Sequence, residues 1–184
     1  MLGLFRNDPR RAVIRALHQR IVAAARAPAL YSSLGIPDTL EGRFEALTLH
    51  AVIVLHALRG KPAPADEIGQ ELVDAVFREL EASLREMGVG DVAVPKRMKG
   101  LAEAFYGRAR AYDAALQSGD AAALAAALER NVYGGGRPGA PLARYAIDAH
   151  RAISALSLDT LLGEGPRFPA PREVVSGEAA EAGP

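Results

Sequence analysis

Four histidines are the residues of this sequence best suited to bind a metal or to transfer a proton. They are His18, His50, His56 and His150. His50 and His56 are six residues apart, so on one helix they lie on different faces. The chain has no HExxH motif and no Glu-x-x-His of the kind that binds iron in helical bundles. The spacing therefore predicts no metal site, and it favours a hydrogen-bonded core or surface role for each histidine.

Other patterns that carry chemistry are also missing. Cysteine is absent, which excludes thiol nucleophiles, thiolate zinc sites and disulfides. The triplet Gly134-Gly135-Gly136 is not followed by the Lys-Ser/Thr pair of a phosphate-binding loop, and no G-x-S-x-G motif marks a serine nucleophile. We predict no catalytic residue and no cofactor. A helical enzyme acting on a hydrophobic small molecule is the minority alternative.

Charge and hydropathy limit the classes of partner. The 184 residues include 22 Lys and Arg and 22 Asp and Glu, which gives a formal net charge of zero and a pI of about 6.9. No global field attracts this molecule to nucleic acid, and we expect no DNA partner. The first residues contain no apolar run that would form a signal peptide. The longest uncharged run, residues 46–58, is shorter than the roughly 18 residues of a membrane span, and it predicts a buried core helix.

Apolar residues at spacings of three and four predict an all-α fold. We expect Asp38 to cap the second helix with Glu41 completing a capping box, Gly88 to end the third helix, and Asp120 to cap the fifth. Residues 1–162 are predicted to form one compact single-domain bundle of about six helices. Residues 163–184 have almost no apolar periodicity and predict a disordered C-terminal tail. The six helices begin near residues 9, 39, 65, 95, 121 and 141, and the last one runs toward residue 162.

The fourth predicted helix combines a basic side with an aromatic pair, Phe105-Tyr106. Residues 94–110 contain five Lys and Arg against one Glu. Gly107 lies in the helix interior, where it costs about 1 kcal/mol relative to Ala, and a close approach by another helix would offset that cost. One interpretation is internal packing of the aromatic residues. The other is a groove lined by Phe105 and Tyr106 with basic residues at its rim, suited to an apolar client helix with a charged end.

Two sequence blocks carry a resemblance to a known family. Residues 84–91, 96–99 and 104–108, with the sequences LREMGVGD, KRMK and AFYGR, form the first block. The second is residues 35–45, GIPDTLEGRFE, followed by LHA at 49–51. Together they resemble the ubiquinol–cytochrome c chaperone family over roughly residues 10–162.

The resemblance implies an all-helical protein without known catalytic activity that binds newly made cytochrome b for haem insertion and assembly into the bc1 complex. Mitochondrial members work with a small partner protein near the ribosomal exit. Here the match begins so early that we expect a bacterial, cytoplasmic version. In a second interpretation the protein is peripheral at the inner membrane. Whether it works with a small partner protein is left open by the sequence.

We predict that the surface that binds cytochrome b includes residues of both blocks, while Glu45 and Asp91 also fit internal pairing or capping. An anionic membrane surface or the ribosome is a further expected partner. The alternative function is a peripheral membrane-binding regulatory module, without a protein client, whose basic first and fourth helices bind anionic lipid. The predicted client-binding residues are Arg43, Glu45, Met87, Asp91, Lys96, Arg97, Lys99, Phe105, Tyr106 and Arg108.

Overall fold

The structure is a computed structural model that describes residues 9–171. Within that range the secondary structure is entirely helical, which confirms the predicted all-α class. None of the helices between residues 9 and 171 is both long enough and apolar enough to cross a bilayer. The helices are α1 (Pro9–Ala25), α2 (Pro28–Ser32), α3 (Leu40–Leu58), α4 (Ala65–Glu86), α5 (Val94–Ser118), α6 (Ala121–Tyr133), α7 (Ala140–Ser154) and α8 (Leu158–Gly163).

Helix α3 lies at the centre of the bundle, as its apolar sequence predicts. Leu49, Ile53 and Val54 are completely buried, and most of the helix is inaccessible to solvent on all sides. Helices α1, α4, α5 and α7 pack around it, and α6 packs between α5 and α7. A helix that is apolar all round is stable only when neighbours cover every face, and this arrangement supplies them.

The six predicted long helices are present, together with two short ones. Helix α2 forms where the sequence predicts a connector, because Pro28 favours a helical start and the Tyr31 hydroxyl donates a hydrogen bond to the Ala25 carbonyl at 2.7 Å. The last predicted helix is divided into α7 and α8. Ser157 divides it, since its hydroxyl accepts the Thr160 N–H at 3.1 Å and caps a new helix.

The cap of α3 is one residue later than predicted. The Thr39 hydroxyl accepts the Gly42 N–H at 3.2 Å, whereas the Asp38 carboxylate accepts a hydrogen bond from Arg43 at 2.8 Å. That hydrogen bond lowers the pKa of Asp38. The other two predictions for helix ends are confirmed: Gly88 has a φ of 79° after α4, and Asp120 accepts the Ala123 N–H at 2.8 Å.

Two helix glycines have opposite surroundings. A Cβ at Gly42 would lie 1.9 Å from the carbonyl oxygen of Pro37, so only glycine fits where the chain turns into α3. A Cβ at Gly107 would meet nothing within 4 Å. The expected close approach of another helix at Gly107 is therefore wrong.

The segment after α8 begins by packing against the bundle. Phe168 contacts the core, with its ring centroid 4.8 Å from that of His50. Gly165 and Pro166 of the predicted tail are also buried, whereas Gly163, Glu164 and Arg167 are exposed. Residues 1–8 and 172–184, which include the last part of the predicted tail, lie outside the described residues.

Candidate functional site

An apolar groove runs between the N-terminal half of α3 and the C-terminal half of α4. It consists of two adjoining cavities of about 330 and 620 Å³. Helix α1 and Tyr31 of α2 close the smaller cavity, and the N-terminal half of α5 closes the larger one. Because the two cavities share part of their lining, they form one continuous surface. The shared residues are Leu40, Phe44, Leu80, Ser83 and Met87.

The groove exposes large apolar side chains to solvent. Leu40 is 45% exposed and Met87 is 50% exposed. Only two other large hydrophobic residues between positions 9 and 171, Val92 and Tyr106, are as open. Single exposed apolar residues are ordinary, but two that border one groove indicate a surface that another molecule covers.

The helical repeat of α4 explains why the groove is apolar. Leu80, Leu84 and Met87 recur at intervals of four and three residues, so they lie on one side of the helix. Phe44 of α3 forms the opposite wall. Met87 at the end of α4 has an unbranched and polarizable side chain, which adapts to partners of different shape.

Charged residues surround the groove, and both signs are present. Arg26, just after α1, pairs with Glu79 of α4 at 3.4 Å. Arg97 of α5 is exposed and has no ion pair within the part of the chain that the structure describes. Glu86 is an exposed acid at the same rim. Mixed charges around an apolar floor suit a segment that is apolar in the middle and polar at its end.

A buried ion pair lies in the floor of the groove and joins α3 to α5. Nε of Arg108 donates to both carboxylate oxygens of Glu45, at 2.7 and 2.8 Å, and Nη2 lies 2.6 Å from Oε1. Glu45 is only 4% exposed, and the guanidinium lies 5.6 Å from the centroid of the Phe44 ring. Burial raises the pKa of Glu45, and the hydrogen bonds from Arg108 oppose that rise. The pair is therefore internally compensated.

The structure brings half of the predicted client-binding residues together and separates the rest. Phe105 is 1% exposed in the core, in ring contact with Phe77, which fits the internal-packing interpretation. Tyr106 lies on another face, at a separate cavity of about 490 Å³. Asp91 pairs with Arg85. The predicted residues that line the groove are Arg43, Glu45, Met87, Arg97 and Arg108. The two that remain, Lys96 and Lys99, are exposed near the start of α5.

Apart from Met87, the apolar residues of the groove were not predicted from the sequence as client-binding residues. Leu40, Leu80 and Leu84 follow the same spacing as core positions, and spacing does not distinguish a groove from an interior. Leu40 and Leu84 had one other signal, because each lies in one of the two resembling blocks.

His50 and His56 have hydrogen-bonded structural roles. His50 is completely buried: its Nδ1 donates to the Ala46 carbonyl at 2.7 Å, and the Tyr145 hydroxyl donates to its Nε2 at 2.7 Å. Burial lowers the pKa of His50 to about 4, so the ring is neutral near pH 7. Nδ1 of His56 lies 2.7 Å from the Asp113 carboxylate. Residues 9–171 contain no cluster of three groups that could bind a metal.

Comparisons with known proteins agree with the resemblance in the two blocks. The model of the ubiquinol-cytochrome C chaperone family matches residues 32–168. A relative from Xenopus laevis, the ubiquinol-cytochrome-c reductase complex assembly factor 1, is 28% identical over 102 residues, which are 55% of this chain and 50% of that protein. The chain thus matches half the length of that relative. The crystal structure of the Cbp3 homolog from Brucella abortus is similar with a TM-score of 0.80 and 37% sequence identity, over 89% of this chain and 92% of that one.

Proposed function

Because the chain belongs to the ubiquinol-cytochrome C chaperone family, we propose that it is an assembly chaperone of the bc1 complex that holds newly made cytochrome b in the apolar groove. The observation that carries this proposal is the pair of half-exposed residues, Leu40 and Met87, on one continuous apolar surface. A membrane-protein client that emerges before its partners exist has apolar segments that need cover. The groove provides that cover on the cytoplasmic side of the inner membrane.

The shape and charge of the groove support reversible binding. The groove is open to solvent along the α3–α4 junction, so a client segment enters and leaves without opening the bundle. Charges of both signs at the rim orient the polar end of a segment, and such rim contacts affect orientation and association rate more than affinity. A client that is handed on to the next assembly step needs this kind of contact.

The same geometry favours binding over catalysis. Glu45 and Arg108 are the charged groups in the floor of the groove, and they satisfy each other. A catalytic acid or base needs a free position toward its substrate, with a pKa suited to proton transfer. The groove therefore supports a chaperone better than an enzyme for a hydrophobic small molecule.

The test introduces a charge into the groove and, separately, at an equally exposed site elsewhere. Met87→Lys alters the groove, and Tyr106→Lys is the matched control, since both residues are 50% exposed. We expect the Met87 variant to lower the cytochrome b that co-purifies from solubilised membranes about tenfold or more, because desolvating a cation against an apolar client costs over about 1.4 kcal/mol. Leu40→Glu should give the same loss of co-purified cytochrome b. Because Leu40 is in the first turn of α3, the added acid interacts favourably with the helix dipole and should not destabilise the helix.

Circular dichroism of each variant checks that the bundle is folded. If both groove variants recover cytochrome b normally and Tyr106→Lys does not, the client binds at the Tyr106 face and the groove is rejected as its site. Normal recovery with all three variants would reject an apolar contact at either surface.

A further inference from the structure

The loop between α4 and α5 and the first turns of α5 form an exposed tip next to the groove, which we define as residues 87–99. Val92 at its centre is 96% exposed, which is exceptional for a β-branched aliphatic residue. Ala93 and Pro95 beside it are also exposed, whereas Val94 is buried and anchors the loop to the bundle. The tip thus presents an apolar apex to solvent.

Three basic residues follow this apex in the first turns of α5. Lys96 and Arg97 are exposed and have no ion pair among residues 9–171, and Lys99 lies 3.9 Å from Glu103 with both side chains largely in solvent. The first turn of α5 contains no acid. Cations at the start of a helix oppose its dipole, so helix stability does not explain them. An interaction with an external anion explains these three basic residues.

The acids near the tip leave its positive side open. Asp91 is paired with Arg85, which also binds Glu81 at 2.9 Å. Glu86 lies at the rim of the groove. Helix α1 is a weaker candidate for anion binding, since its Arg10 pairs with Glu67 at 3.1 Å and with Glu71 at 2.6 Å.

We propose that the tip docks on an anionic bilayer surface, with Val92 inserted among the headgroups and Lys96, Arg97 and Lys99 bound to lipid phosphates. Interfacial segments combine apolar side chains with a basic flank in this way. RNA offers phosphates too, but protein contacts to unpaired bases use aromatic rings or guanidinium planes, and an aliphatic apex gains nothing there. The exposed valine therefore favours a lipid bilayer over RNA as the binding partner.

The proposal of membrane docking is argued from the residues of the tip alone, but one consequence of it rests on the proposed function. Met87 belongs to both the tip and the groove, so docking would bring the mouth of the groove to the headgroup layer. A client segment would then pass between groove and bilayer without crossing open water. Weaker docking with intact client binding in Lys96→Gln/Lys99→Gln, whose two sites lie outside the groove lining, would separate the two proposals.

The absence of tryptophan from the chain allows a direct test on the full-length protein. Val92→Trp places a single tryptophan at the apex, and Ala122→Trp places one at an exposed position of α6 as a control. With phosphatidylcholine vesicles that contain phosphatidylglycerol, we expect a blue shift of the tryptophan emission in the Val92→Trp variant and none in the Ala122→Trp variant. Pure phosphatidylcholine vesicles should give a much smaller shift, and the response should decline as salt screens the phosphates.

Charge variants in the Val92→Trp background measure the basic contribution. Replacing Lys96, Arg97 and Lys99 with Gln should weaken vesicle binding on the order of 100-fold, given the attraction of each cation to an anionic surface. Replacing Arg144, Arg151 and Arg167 with Gln makes the same charge change at exposed sites outside the tip and should leave binding unchanged. Equal losses in the two triple variants, or a tip that binds duplex RNA but not vesicles, would overturn the proposal.

Discussion

The ion pair between Glu45 and Arg108 gives the sharpest stability test of this structure. Arg108→Met removes the guanidinium but keeps an unbranched apolar side chain to fill part of the space beside Phe44. The carboxylate of Glu45, which is only 4% exposed, then loses all three short contacts that the structure gives it with the guanidinium. The perturbation leaves a buried charge without its partner.

The expected cost follows from burial and distance. Opposite charges about 4 Å apart attract by about 4 kcal/mol at the effective dielectric of a protein site. Removal of one partner from a buried pair typically costs about 3 to 5 kcal/mol, because the remaining charge is uncompensated. We therefore expect Arg108→Met to lower the free energy of unfolding by about 3 kcal/mol or more near pH 7.

The pH dependence identifies the cause. Burial raises the pKa of Glu45, and Arg108 is the group that opposes that rise. Without Arg108 the pKa rises further, so the folded state binds a proton that the unfolded state does not. The free energy of unfolding then falls as pH rises through that interval. The deficit of Arg108→Met is expected to be largest near neutrality and smaller at about pH 5, because protonation of the carboxyl as pH falls removes the uncompensated charge.

Urea unfolding followed by circular dichroism, at both pH values, measures these differences. The double variant Glu45→Gln/Arg108→Met removes both charges and should recover much of the loss, since an uncharged pair carries no desolvated charge. A deficit of Arg108→Met that is below about 1 kcal/mol and independent of pH would match a solvent-exposed pair instead. That result would refute the burial of Glu45 in the groove floor.

Two further predictions use the same unfolding assay. Gly42→Ala should destabilise the protein by about 2 kcal/mol or more, because its Cβ would lie 1.9 Å from the Pro37 carbonyl oxygen. Gly107→Ala should stabilise the protein by about 1 kcal/mol, because its Cβ would have no atom within 4 Å. A Gly42→Ala variant more stable than Gly107→Ala would contradict the backbone geometry. The titration of His50 should lower the free energy of unfolding of the wild type by up to about 3 kcal/mol as pH falls from about 6.5 to about 4, because the folded pKa of His50 is lowered to about 4 and the unfolded state takes up the proton first. His50→Leu lacks this titration and should decline less over the same range, so equal declines would show that His50 is accessible to water.

The sequence allowed the fold to be predicted wherever local physics decides it. The uniformly apolar stretch of α3 leads to a central helix, and Gly88 and Asp120 mark helix ends through their own conformational preferences. Thr39 replaces Asp38 as a cap because Arg43, five residues away, binds the Asp38 carboxylate. Ser157 divides the last helix because a capping hydroxyl is available inside an apparently continuous pattern.

The site could be predicted only in part, because its residues come from distant parts of the chain. Leu40 and Met87 border the same groove only after α3 and α4 have packed, and neither position differs from a core position in spacing. Phe105 and Tyr106 form an aromatic pair with ring centroids 5.5 Å apart, but neither ring lines the groove. Adjacent residues of a helix point in directions about 100° apart, so Phe105 enters the core while Tyr106 faces solvent.

The two blocks that resemble the chaperone family meet at the groove, and their residues serve two different purposes there. Glu45 of one block pairs with Arg108 of the other, which sets the position of α3 against α5, and Gly42 allows the close turn from Pro37 into α3. Leu40 and Met87, also from the two blocks, are open to solvent and have no such internal role. A residue that stabilises the bundle alters client binding only by altering the fold, whereas an exposed residue alters it directly. Variants at Leu40 and Met87 should therefore separate client binding from stability, and variants at Glu45 and Arg108 should change the two together.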